Sequence, residues 1–124
     1  MPFQPDYPGA IVIEAKNYGY AGIYPDSENR PRGFVLHTPE EKADDHMVTP
    51  YYFATTNVDA STHYFVSYHG FVVQCVPESE GAYGNAVEGK QPPVWMDRPN
   101  LNLCSFSVEI EGYAASIANT ISSA

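Results

Sequence analysis

Gly33-Phe34-Val35-Leu36-His37-Thr38-Pro39-Glu40-Glu41 is the stretch on which the reading of this chain turns. Phe34 to Leu36 is an unbroken apolar run, the pattern of a strand covered on both faces. It stops at a histidine, followed by Thr-Pro and the acids Glu40, Glu41, Asp44 and Asp45. A strand that leaves the core there sets an imidazole at the lip of a sheet, where open α/β sheets hold their chemistry. Neutral imidazole is the commonest protein metal ligand and the usual acid–base group near neutral pH. A histidine hydrogen-bonded at a strand end fits the same spacing.

Downstream, Thr62 to Tyr68 and Phe71 to Val76 flank His69-Gly70. The turn chemistry and the aromatic, β-branched flanks predict an antiparallel hairpin, with His69 in the turn. His63 and His69 bracket one strand as a metal pair would; a structural hydrogen bond for His63 inside the sheet is the stronger reading. Leu103 to Glu111 alternates strictly. Cys104, Phe106, Val108 and Ile110 share one face, predicted to meet the core. Ser105, Ser107, Glu109 and Glu111 share the other, predicted to aim hydroxyls and carboxylates at a polar space. A carboxylate there, beside a histidine-bearing strand, suits general-base work on a water, particularly one activated by a metal. A plain solvated sheet face would show the same alternation.

The remaining segments are read around these three. Residues 1–9, with Pro2, Pro5 and Pro8, form an extended arm, and Ala10 to Ala15 a strand rich in β-branched residues. A loop with Tyr18, Tyr20 and Tyr24 leads to the central strand. Val48 to Ala54 is a short helix with Thr49 as cap and Pro50 at its first position. His46, after Asp44 and Asp45, is solvated. Glu78 to Asn100 is an irregular loop holding Trp95; Tyr83-Gly84-Asn85 within it is either a groove wall or a cover over the sheet edge. Tyr113 to Ala124 begins a helix.

With 124 residues the chain is one domain at most, 44% hydrophobic and 17% charged. Ten tyrosines and six phenylalanines suit a core and equally a sugar or peptide groove. Six basic against fifteen acidic residues, net −9, argue against nucleic acid and anionic membranes as partners. No apolar run approaches membrane-spanning length. The first residues lack the charged region and apolar core of a signal peptide, so the expectation is synthesis in the cytoplasm and export by another route. Cys75 and Cys104 are too few for a disulfide framework; buried free thiols, a cross-strand bridge and a thiolate ligand are the readings, in that order.

Three ordered motifs resemble the type 2 N-acetylmuramoyl-L-alanine amidases, a superfamily that includes phage endolysins and peptidoglycan-recognition proteins. They are Phe34-Val35-Leu36-His37-Thr38; Ser61-Thr62-His63-Tyr64 through Gly70 to Gln74-Cys75-Val76; and Asn102 with Ser105-Phe106-Ser107-Val108-Glu109-Ile110-Glu111-Gly112. The resemblance covers about residues 30 to 115. It implies a mixed central β-sheet flanked by helices, with zinc in a cleft at the sheet surface. It also implies His37 as a zinc ligand, Glu109 as general base, and His63 as a structural residue. Thr38, Tyr83 and Asn85 are the expected substrate contacts, although Tyr83-Gly84-Asn85 lacks the histidine that many members carry in that segment.

The implied activity is zinc-dependent hydrolysis of the amide between N-acetylmuramic acid and L-alanine, with bacterial peptidoglycan as partner and phage-type release to the cell wall. One departure stands out. The family's second and third zinc ligands follow the Glu-x-Glu-Gly strand, and no His follows His69 here, nor any Asp or Cys after Cys104. The expectation is therefore a domain truncated at its C-terminus, with the other ligands in a longer parent or another chain. The competing expectation is a peptidoglycan-binding module of the same fold without hydrolytic activity.

Overall fold

The segment around Gly70 folds as its turn chemistry predicts. β3 (Tyr64–Val66) and β4 (Val72–Gln74) pair antiparallel, with Phe65 opposite Val73. The Gly70 N–H donates to the Ser67 carbonyl and the Ser67 N–H to the Phe71 carbonyl, each at 2.9 Å. Gly70 itself takes φ 88°, which glycine adopts without strain. His69 falls in this turn. The computed structural model describes residues 3–19, 33–44, 46–85, 102 and 105–115. The expectations for Tyr20 and Tyr24, Trp95, Cys104 and the helix beyond residue 115 lie outside them.

β5 (Ser105–Ile110) runs parallel to β3 on one side and to β2 (Gly33–His37) on the other. β1 (Ile11–Val12) runs parallel to β4 and completes a five-stranded sheet ordered β1-β4-β3-β5-β2. One antiparallel and three parallel pairings make it the mixed α/β sheet expected. β1 is shorter than predicted, but Ile13 and Ala15 continue its ladder through hydrogen bonds to the Gln74 and Cys75 carbonyls. The proline-bearing arm is pinned across β4. Asp6 N–H donates to Gln74 Oε1 at 2.8 Å, and Gln74 Nε2 donates back to Asp6 Oδ2 at 2.7 Å.

The helix α1 (Val48–Thr55) is capped two residues before the predicted Thr49. Met47 occupies the cap position in left-handed backbone (φ 58°) and offers no side-chain hydrogen bond. Thr49 turns its hydroxyl instead to Glu41 Oε1, at 2.8 Å. Pro50 is thus third in the helix, still among the first-turn positions whose N–H groups have no intrahelical acceptor. Phe53 packs on the core of Ala15, Phe65, Val73, Cys75, Val76 and Ala82. Cys75 is a free buried thiol, pushed up to about 12 by burial.

Two expectations are corrected. β2 is the sheet edge among the described strands, and it is not covered on both faces: Phe34 is 62% and Leu36 57% exposed. On β5 the deeper face is the one carrying hydroxyls. Ser105 and Ser107 are each 1% exposed, whereas Phe106, Val108 and Ile110 are half-buried. Alternation identified the two faces correctly but could not say which was covered. Burying serine is tolerable here because the hydroxyls are paired, Ser105 with Asn85 and Ser107 with Thr62.

His63 is fully buried, and backbone engages both of its ring nitrogens. Nδ1 accepts from the Ser107 N–H at 3.1 Å, so Nε2 carries the proton and donates to the Glu80 carbonyl at 2.7 Å. Burial drives its pKa down to about 4, against the smaller upward pulls of the Glu80 carbonyl and of Asp6. A group held neutral when folded binds a proton more readily when unfolded. Its contribution is therefore whole above about pH 6.5 and is lost as pH falls toward about 4. Over that window the stability from this residue should drop by at most roughly 3 kcal/mol. Urea midpoints measured across the window for wild type and His63→Gln will show it: a parallel pH dependence in both proteins would remove His63 as the cause.

Candidate active site

Paired residues on neighbouring parallel strands project to the same face of a sheet. The β2–β5 register places Gly33 beside Ser105 and, four residues on, His37 beside Glu109. Both therefore emerge together at the carboxyl ends of parallel strands. On its other side Glu109 neighbours Phe65, whose ring is fully buried. Burial raises the Glu109 pKa above the ordinary carboxylate range; His37 opposes that shift and Glu41 adds to it. Glu109 Oε2 is buried and has no hydrogen-bond partner among the described residues. It is an acceptor without a donor at the wall of a cleft.

That cleft holds about 320 Å³ and is lined by Pro39, Glu41, Val48, Thr49, Tyr52, Phe53 and Glu109. Its size suits a small part of a substrate, and its mixture of aromatic wall and few polar groups is that of a ligand site. The helix wall, with Tyr52 and Val48 about half exposed, was not singled out from sequence. The aromatic run Tyr51-Tyr52-Phe53 was the available signal. The other strand carboxylate, Glu111, takes no part: it is buried and accepts from the Tyr68 N–H at 2.8 Å, tying β5 to the hairpin turn.

Asn85 reaches His37 from the loop after β4. His37 Nε2 and Asn85 Oδ1 lie 2.6 Å apart. Asn85 is 3% exposed, with its amide held by Ser105 Oγ and the Phe106 carbonyl. Of the residues expected at the site, Glu109 lines the cleft; His37, Thr38, Tyr83 and Asn85 are not among its lining residues. The Thr38 hydroxyl donates to Glu40 Oε1 at 2.6 Å, and the same carboxylate accepts from the Ala114 N–H. The Tyr83 N–H donates to Ser61 Oγ, while its phenol lies over Gly19. Of the residues predicted for the site, His37, Glu109 and Asn85 are brought together.

Among the described residues no three His, Cys, Asp or Glu side chains converge. His63 has both nitrogens on backbone, Cys75 is a buried protonated thiol, and His46 is exposed beside Asp44. The described residues therefore fit one imidazole ligand, His37, with a carboxylate beside it. They do not by themselves compose the three-ligand centre that a catalytic zinc uses.

The family described as N-acetylmuramoyl-L-alanine amidase matches residues 27–122, a span that includes His37, the hairpin and Glu109. The chain belongs to that family. The three motifs that carry the resemblance all lie within the matched span. No curated protein matches the chain. Among solved structures, the solution structure of Citrobacter freundii AmpD is similar at 18% identity, with 98% of this chain and 76% of that chain covered and a TM-score of 0.45.

In this amidase-family chain the loop that delivers Asn85 has no room for a side chain at Gly84. A Cβ there would run into Ser107 Oγ and lie 2.7 Å from the Ser61 carbonyl oxygen. Backbone on one side and a buried serine on the other leave little room to give. Gly84→Ala should cost about 1–3 kcal/mol by overpacking. Denaturant unfolding will measure it, and a change within about 0.5 kcal/mol would mean that the loop shifts freely.

Proposed function

We propose that the chain hydrolyses the amide between N-acetylmuramic acid and L-alanine in bacterial peptidoglycan, with Glu109 as general base and His37 as a zinc ligand. The observation that carries this is that His37 stands in register beside Glu109, which lines a cleft, in a chain of the amidase family. Zinc, when bound, supplies a Lewis acid that lowers the pKa of water and polarises the amide carbonyl. Among the described residues His37 is the one imidazole that fits it. Glu109 is suited to accept the proton of the attacking water, since burial raises its basicity and Oε2 has no donor among the described residues. The same carboxyl then returns the proton to the leaving amine of L-alanine. Tyr52, Phe53 and Val48 offer the apolar wall against which glycan or stem peptide packs. Cytoplasmic synthesis and phage-type release to the wall complete the reading, as for an endolysin.

A second reading, a module of the same fold that holds peptidoglycan without cutting it, is favoured by one observation: no three donors converge among the described residues. Wall turbidity and zinc content separate the two. Glu109→Gln keeps the side-chain shape and removes the base, so lysis should fall about 10²–10⁴-fold with zinc retained. His37→Ala should lose the metal. Full lysis by Glu109→Gln would take Glu109 out of the mechanism, and wild-type protein that sediments with walls but never lyses them would establish the binding module.

The same reading sets the pH dependence. A base must be ionised, and a raised pKa means that Glu109 takes up its proton earlier as pH falls. The acidic limb of the lysis rate should lie above the ordinary glutamate value of about 4.3. A pH–rate profile whose acidic limb sits at or below that value would contradict the role.

A further inference from the structure

The amide of Asn85 is oriented by what it touches. Its Nδ2 donates to Ser105 Oγ at 2.8 Å and to the Phe106 carbonyl at 2.9 Å, and its backbone N–H donates to Asn102 Oδ1 at 2.7 Å. A flipped amide would set Oδ1 against the Phe106 carbonyl, acceptor against acceptor. The end that meets His37 is therefore oxygen, and at 2.6 Å the His37 Nε2 must be the donor. A neutral imidazole carries one ring proton, so the lone pair is on Nδ1. Among the described residues nothing hydrogen-bonds to Nδ1.

We infer that Asn85 is a positioning residue: it holds His37 as the Nε2–H tautomer and leaves Nδ1 as the nitrogen that binds an electrophile. The part concerning zinc rests on the proposed function above. Metal-bound histidines generally donate their other ring N–H to an oxygen that fixes the ring, and their ligand strength depends on it. Here that oxygen belongs to a buried neutral amide. The choice of amide over carboxylate has a physical reason, since an aspartate at this buried position would set a negative charge against the Phe106 carbonyl. It would also forfeit the two donors that hold residue 85 on β5. Asn85 is thus tied to β5 by its side chain and to residue 102 by its backbone. The imidazole of an edge strand takes its orientation from the neighbouring strand.

The test is nitrogen–proton correlation spectroscopy of the histidine rings in the whole chain at about pH 8, where an ordinary imidazole is neutral. It is repeated with added Zn²⁺ and in Asn85→Ala and Ser105→Ala. In wild type, His37 should show protonated Nε2 and unprotonated Nδ1. Asn85→Ala should collapse the separation of the two ring nitrogen shifts toward a mixture of tautomers, and Ser105→Ala, which removes one of the bonds holding the amide, should do so in part. Added Zn²⁺ should move Nδ1 and leave Nε2 protonated. An Nδ1–H tautomer in wild type overturns the inference without recourse to any variant, as does a tautomer unchanged in a folded Asn85→Ala. Zinc binding at Nε2 would overturn it while sparing His37 as a ligand. A tautomer held by Asn85 with no response to Zn²⁺ would support the positioning role and remove zinc from His37.

Discussion

The parallel register of β2 on β5 is the constraint from which the site follows. Side chains in a sheet repeat every second residue, so pairing Gly33 with Ser105 commits Val35 to Ser107 and His37 to Glu109. A slip of one residue would send the imidazole and the carboxylate to opposite faces. Four residues of ladder separate the buried start of this pairing from its chemically useful end. The histidine and the acid are 72 positions apart in sequence, so their proximity depends entirely on this alignment.

β5 is fixed against the hairpin and the Asn85 loop by polar contacts. Ser105 and Ser107 lie on the covered face, and each brings a hydroxyl that must be paired. Asn85 answers the first and Thr62 the second, while His63 accepts from the Ser107 backbone and donates to that of Glu80. Gly84 permits the loop to come within contact of β5. Unlike a uniformly apolar interface, such a network penalises any register that leaves a buried donor or acceptor unmatched. It therefore specifies one arrangement of strand and loop, and Asn85 extends that specification to the orientation of His37.

Glu109 on β5 and Glu111 just past its end show how environment divides chemically identical side chains. Glu111 accepts a backbone N–H from the hairpin turn and is spent on structure. Glu109, two residues earlier, is partly desolvated, sits beside His37 and has a buried oxygen with no donor among the described residues. An unpaired buried acceptor costs stability, and it is retained where reactivity is useful. The neighbouring cleft, with its helix wall of Val48, Tyr52 and Phe53, lies against that oxygen's carboxyl group and no other on the strand.

Local signals sufficed for the elements themselves. Period-two alternation, the Gly70 turn and the apolar run ending at His37 were enough to place the hairpin, β2 and β5, and the ordered motifs pointed to the family. Three things needed the tertiary structure. Which face of β5 is covered depends on whether its serines find partners, and Thr62 and Asn85 are too distant in sequence to be read as such. The start of α1 depends on Thr49 being drawn to Glu41, a contact that no capping rule contains. The role of Asn85 depends on a loop crossing back over β5. Periodicity reports what a residue could face; only the fold decides which hydrogen-bond partners are there to meet it, and for buried polar groups that decision carries the energy.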